Sequence, residues 1–208
     1  MPVHERRSVR IGGLDVEYDD RVLEPRPWTA LQSRWAVELL GSAPAGPVLE
    51  LCTGAGHIGL LVAAATDRHL VAVDLDPVAC SYARHNAEVA GLGDRVEVRE
   101  GALATAVRAE ERFVLVLADP PWVPSADIGR FPDDPTTAID GGPHGLDVAH
   151  ACVAAAAACT DPGADLLLQV GTDDQADLVA GSAVADGGWR DRGRRTTSRG
   201  VVLRLQRA

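Results

Sequence analysis

An α/β fold, with a doubly wound and mostly parallel sheet covered by helices on both faces, follows from three observations on this 208-residue chain. Short apolar runs alternate with helically periodic segments from residue 48 to residue 185, the pattern of successive strand–helix units. The run Val48-Leu49-Glu50-Leu51 opens into a turn holding Gly54, Gly56 and Gly59, and Leu60–Ala65 then continues as a helix, a strand–turn–helix of the nucleotide-binding kind. A second run, Phe113–Ala118, stops on Asp119-Pro120-Pro121-Trp122. Two prolines there lock φ and withdraw two N–H donors, which ends the strand and holds Asp119 extended.

The remaining elements follow in order. Residues 7 to 24 alternate weakly around Gly12-Gly13, which predicts a hairpin. Trp28 to Leu40 puts Leu31, Trp35 and Leu39 at helical spacing before a Gly/Pro-rich break. Residues 1–46 thus form a short hairpin and helix addition to a main domain over 47–208. Strands are expected at 48–52, 70–74, 95–100 and 113–119, with helices at 57–66 and 77–91 and a short one near 103–110. Asp76-Pro77 reads as an N-cap followed by proline at the first helical position. Residues 120–145 are a long Pro/Gly/Asp-rich connection, of a length that compact domains reserve for functional loops. A helix over 146–160, a strand over 164–170, a helix over 173–185 and a strand over 201–205 complete the chain. Arg190, Arg192, Arg194, Arg195 and Arg199 read as a solvated turn between the last two strands.

Composition narrows the function. A hydrophobic content of 46% suits one globular core, and a formal charge of −10 disfavours tight binding to a nucleic-acid backbone. The four cysteines, Cys52, Cys80, Cys152 and Cys159, have neither zinc-site spacing nor the density of a disulfide scaffold, so no metal is expected and the thiols read as those of a reducing compartment. No signal-peptide core or bilayer-length apolar stretch is present, and the expected location is cytoplasmic. The chain holds no lysine, which excludes a P-loop.

Glu50 immediately precedes the glycine turn. A carboxylate there would repel a pyrophosphate but accepts from an ammonium group, which favours S-adenosylmethionine (SAM) over a dinucleotide. Asp74, ending the next strand about twenty residues on, is placed for ribose hydroxyls. Asp119 at its own strand end is an acceptor for an N–H group.

Four segments then carry a resemblance. Glu50-Leu51-Cys52-Thr53-Gly54-Ala55-Gly56-His57-Ile58-Gly59-Leu60, Leu23-Glu24-Pro25-Arg26-Pro27-Trp28-Thr29, Asp119-Pro120-Pro121-Trp122 and Asp140-Gly141-Gly142-Pro143-His144-Gly145-Leu146 stand in the right order. They look like the glycine loop, the Pro-Arg-Pro-x-Thr segment, the Asn-Pro-Pro-Tyr signature and the following Asp-Gly-Gly-x-x-Gly-Leu loop of HemK-like glutamine N5-methyltransferases. The chain resembles these class I SAM-dependent enzymes over roughly residues 8 to 206. The resemblance implies a seven-stranded Rossmann-like sheet and conversion of SAM to S-adenosylhomocysteine. It implies a cofactor pocket from Glu50, Cys52, Thr53, Gly54, Gly56, His57, Ile58, Asp74, Leu75, Gly101, Ala102, Leu103 and Asp119. Asp119, Pro120 and Trp122 would form the catalytic group, and Arg26, Thr29, Pro121, Trp122 and His144 the acceptor side.

Three departures stand out. The family's Asn is Asp119 here, as in adenine N6-methyltransferases and several small-molecule enzymes. Gly101-Ala102-Leu103 lacks the acid that commonly reads the adenine amino group. The N-terminal helical domain of the bacterial enzymes has no room in this sequence. The expected acceptor is therefore an amide- or amine-type nitrogen on a small molecule or a peptide or protein side chain. Adenine methylation in nucleic acid, against which the charge weighs, and a non-catalytic SAM-binding partner or sensor subunit remain the alternatives. Near a cationic ligand Asp119 is expected to be ionised and a weak base, an acceptor that orients the nucleophile rather than a full general base.

Overall fold

The computed structural model describes residues 4–208. Strands β1 (Arg7–Ile11) and β2 (Leu14–Tyr18) form the expected antiparallel hairpin, followed by helix α1 (Ala30–Leu40). Then come β3 (Val48–Leu51), α2 (His57–Ala65), β4 (Leu70–Asp74), α3 (Pro77–Val89), β5 (Val96–Glu100) and β6 (Phe113–Ala118). The last part holds the single turn α4 (Thr136–Ile139), α5 (Asp147–Ala158), β7 (Thr160–Val170), α6 (Asp173–Ala185), β8 (Trp189–Thr197) and β9 (Gly200–Arg207).

Seven strands make one sheet in the order β5-β4-β3-β6-β7-β9-β8. The first five are parallel, and β9 runs antiparallel between β7 and β8. The central strands are apolar on both sides because both faces are covered. Leu49, Leu51, Val116, Ala118, Leu166 and Leu168 pack on Ala149, Cys152 and Ala156 of α5 and Val179 and Ala183 of α6. On the other face Val48, Leu70, Leu115, Leu117 and Leu167 meet Trp35 and Ala36 of α1 and Ile58, Leu60 and Val62 of α2. Strand order reverses at β3, which has β4 on one side and β6 on the other. In doubly wound sheets the crevice beyond the carboxyl ends at such a point receives ligands.

Three local expectations are corrected. Residues 103–110 form turns and no helix. Arg99 takes the Ala106 carbonyl and clasps Glu97 and Glu111, while Glu111 accepts from the Arg108 N–H, so side chains claim groups that a helical ladder needs. The arginine cluster lies on β8, an edge strand, and only Arg199 is in the β8–β9 turn. The 120–145 connection is not structureless: it contains a 3-10 turn, Ser125–Arg130, and α4. Its ends are pinned by Asp140, whose carboxylate accepts from Ser125 Oγ at 2.6 Å and from the Gly142 N–H at 3.0 Å.

Candidate active site

The glycine turn leaves β3 through Cys52, the one residue other than glycine with positive φ (+58°) among the described residues. That conformation costs an L-residue roughly 1–2 kcal/mol, and such strain clusters at ligand-binding turns. Gly56 caps α2 at φ +89°, where an added Cβ would press on Ala83 at 3.2 Å. Only glycine lets α2 start so close to α3. The turn closes through Gly56 N–H to the Thr53 carbonyl at 2.8 Å and Thr53 N–H to Val73 of β4 at 3.1 Å.

Glu50 is 2% exposed. Both carboxyl oxygens are used within the turn: one accepts from the Gly59 N–H at 2.9 Å, the other from the Thr53 hydroxyl. Asp74 ends β4 and accepts from the N–H groups of Gly54 (2.8 Å) and Asp76 (2.9 Å), tying two strand tips together. Burial pushes Glu50 up to about 8, and the neighbouring charges of Asp119 and Asp74 act in the same direction. Desolvation also raises Asp74. Desolvation pushes Asp119 up to about 7, against the pull of the Gln169 side-chain amide beside it. Among the described residues none of these three acids forms an ion pair with an arginine. Next to them Leu75 is 72% exposed, an apolar side chain at a strand tip with nothing of its own chain over it. Three acids without counter-charge and an open apolar surface fit a cationic ligand with a flat base, which are the features of SAM.

Beyond β6 the chain borders a cleft of about 410 Å³ whose walls include Arg26, Thr29, Asp119, Pro120, Pro121 and Trp122. Trp122 is half-buried, and its ring lies on Gly171, where an added Cβ would sit 2.6 Å from the ring carbon Cζ3. Its carbonyl accepts from Gln175 Nε2 at 2.9 Å. Thr29 donates to the Arg26 carbonyl and meets His57 Nε2, each at 2.7 Å, so the cleft wall and the glycine turn share one buried hydrogen bond. Since the Thr29 proton goes to Arg26, His57 carries its hydrogen on Nε2. Burial drops its pKa to about 4 and holds it neutral. Arg26 pairs with Asp134 at 2.8 Å.

The structure thus gathers Asp119, Pro120, Pro121, Trp122, Arg26 and Thr29 around one cleft. Cys52, Thr53, Gly54, Gly56 and His57 stand on the turn beside Glu50. Gly101 is held to the Asp74 carbonyl through its N–H at 2.9 Å, Ala102 is exposed, and Leu103 packs against the core. Two candidates fall elsewhere. The Ile58 side chain is 4% exposed in the core between α2 and the sheet. His144 is exposed and is not among the residues lining the cleft. Helical phase explains the first, since Ile58 shares its face of α2 with Val62, four residues on, and both are in the core. A loop turn that aims its carbonyl inward at Gln175 explains the second.

Sequence reasoning passed over Gln169, Trp28, Phe131, Asp134 and Arg199, all on the cleft wall. Gln169 carried a signal: it is the one polar residue in Leu166–Val170 and is 4% exposed, and a polar side chain inside a buried strand needs a reason. Gln32 is similar. Wholly buried on α1, it donates to the carbonyls of Ala118 (3.0 Å) and Leu167 (2.8 Å) and ties the strand that ends in Asp119 to its neighbour.

A family profile described as "Methyltransferase domain" matches residues 48–131. A Deinococcus radiodurans protein named release factor glutamine methyltransferase is 36% identical over 192 residues, covering 90% of this chain and 67% of that protein. A protein of the same name from Moorella thermoacetica is 34% identical over 183 residues, covering 86% of this chain and 64% of its own. The chain therefore spans about two thirds of the length of these relatives. Among solved structures, a T. thermophilus 16S rRNA methyltransferase in complex with AdoMet and guanosine superposes with a TM-score of 0.69 at 20% identity, over 100% of this chain and 52% of that one, a likeness of fold. No helix among the described residues is long and apolar enough to cross a membrane. With over a third of aligned residues shared across two thirds of the Deinococcus protein, the chain belongs to the HemK-like group of SAM-dependent class I methyltransferases.

Proposed function

We propose that this protein transfers the methyl group of SAM to the side-chain amide nitrogen of a glutamine in a protein or peptide acceptor, in the cytoplasm where translation proteins reside. The observation that carries the reading is the position of Asp119. It stands at the end of β6, beside the switch point, with the acid-lined turn on one side and the aromatic cleft on the other. The names of the two relatives point to the same acceptor chemistry.

In this reading Glu50, Asp74 and Leu75 hold the cofactor with the turn Cys52–His57 and with Gly101, Ala102 and Leu103. When bound, SAM supplies an electrophilic methyl carbon on a positively charged sulfur. The protein's share is alignment, because in-line displacement needs the nitrogen close to that carbon and opposite the sulfur. An amide nitrogen is a poor nucleophile because its lone pair is delocalised. Acceptance of its N–H by Asp119 and the Pro120 carbonyl orients it and supports the positive charge that develops on it. Trp122 and Pro121 wall the acceptor and keep water out, and Arg26 and Thr29 fix the opposite wall. Ionised Asp119 can take the released proton, a step its elevated pKa makes easier than for an ordinary carboxylate.

Asp119→Ala tests the assignment. With methyl-labelled SAM held at saturation and a glutamine-containing peptide, turnover should fall about a hundredfold or more, the size of losing one preorganised partner. Turnover within a few fold of wild type would remove Asp119 from the reaction.

A further inference from the structure

The cleft that receives the acceptor nitrogen has a second chemical end. At its floor is Asp119, and at its rim are Ser198 and Arg199, from the β8–β9 turn. The Arg199 guanidinium lies over the Trp28 ring at 5.2 Å from its centroid, and Arg26 lies over the same ring at 5.7 Å. Trp28 thus aligns two guanidinium groups along one wall. Their electrostatic states differ. Arg26 is neutralised by Asp134 at 2.8 Å and Glu24 at 3.6 Å. Arg194 and Arg195, on the neighbouring strand, are likewise paired with Asp173, Asp177 and Glu38. Arg199 is exposed, and among the described residues its side chain has no carboxylate within ion-pairing distance. In a chain of formal charge −10, an unneutralised cation held by stacking at the mouth of the reaction cleft is a recognition element for an anion.

From this we infer that Arg199 is a specificity-determining residue, and that the acceptor is a protein segment carrying an acidic side chain next to the methylated nitrogen. The cleft offers an acceptor group for N–H donors at one end and a donor cation at the other. An acceptor residue flanked by a carboxylate satisfies both at once. The substrate class rests on the glutamine reading above. The anion subsite rests on the geometry of Trp28 and Arg199.

The test uses acetylated, amidated hexapeptides with one glutamine flanked by glutamates, by alanines or by phosphoserines, and a single-stranded RNA decamer. Binding is measured by calorimetric titration to wild-type protein and to the Arg199→Gln and Arg199→Lys variants, each first shown to bind SAM normally. The glutamate peptide should bind about tenfold more tightly than the alanine peptide, the scale of one charge-assisted hydrogen bond. That ratio should fall to near one in Arg199→Gln, survive in part in Arg199→Lys and shrink with added salt. A phosphoserine peptide that outranks the glutamate peptide would identify the anion as phosphate on the same segment. A wild-type ratio of one, a ratio unchanged in Arg199→Gln, no measurable binding of any peptide, or tight RNA binding that Arg199→Gln abolishes would each overturn the inference. Methyl transfer to the same peptides is scored separately: a charge-dependent binding ratio without glutamine methylation leaves the subsite standing and removes the glutamine reading.

Discussion

Glu50 and Asp119 each sit where burial opposes ionisation, and this gives the protein a pH dependence of calculable sign. Their carboxyls are raised to about 8 and about 7 in the folded chain, whereas an unfolded carboxyl titrates near 4. Between those values the folded state holds protons that the unfolded state has released. Stability therefore falls as pH rises through the window from about 4 to about 8. Thermal melting of the ligand-free protein should be higher near pH 5 than near pH 8.5, with the slope reduced in Glu50→Gln. A cationic ligand inverts the preference, because it favours the ionised acids and expels their protons. SAM affinity should rise with pH between about 6 and 8, by up to about tenfold per unit for each proton released. A calorimetric titration series that finds SAM affinity flat across that range contradicts the assignment of these acids to the cofactor.

At the scale of elements, the turn after β3 and the connection after β6 position the chemistry, and each makes a separate prediction. Gly171→Ala puts a methyl group where the Trp122 ring lies. The ring must move, at a cost of about 1–3 kcal/mol, and the acceptor KM should rise while SAM affinity stays constant. Asp140→Ala removes the two hydrogen bonds that pin the loop ends. Limited proteolysis should then cut between residues 123 and 140 faster than in wild type, with the sheet intact.

The same elements show what could be read from the chain alone. The apolar strands, the glycine turn and the Asp-Pro-Pro stop were legible because their causes are local: periodicity, a missing Cβ, a missing N–H. Strand β8 was not, since an exposed edge strand of arginines has no apolar alternation to betray it and carries charge that blocks stray pairing. The segment 103–110 was misread because Arg99 and Glu111, brought together only by the fold, decide its backbone. Arg199 joins the cleft through tertiary placement, for which spacing in the sequence holds no signal, whereas Gln169 is marked in the sequence as the lone polar residue of the apolar run Leu166–Val170.

Across the whole molecule, the sheet order brings the turn at 50–59, Asp74 and Asp119 to the crevice at neighbouring strand ends, and the Pro-Arg-Pro segment near residue 26 and the tip at Arg199 border the cleft beside Asp119. The helices that cover both faces leave that crevice as the place where acids remain without counter-charge. A chain sharing 20% identity with an rRNA enzyme can share its fold, because a fold of this kind does not by itself fix the acceptor. Methyl transfer to a protein glutamine is the proposed outcome of that arrangement. The most direct measurement is incubation of the purified protein with methyl-labelled SAM and a lysate separated into macromolecular and small-molecule fractions. Label in protein that maps by mass spectrometry to a glutamine side chain, and is lost with Asp119→Ala, is the result expected. Label confined to the small-molecule fraction would contradict the account and make this a metabolite methyltransferase.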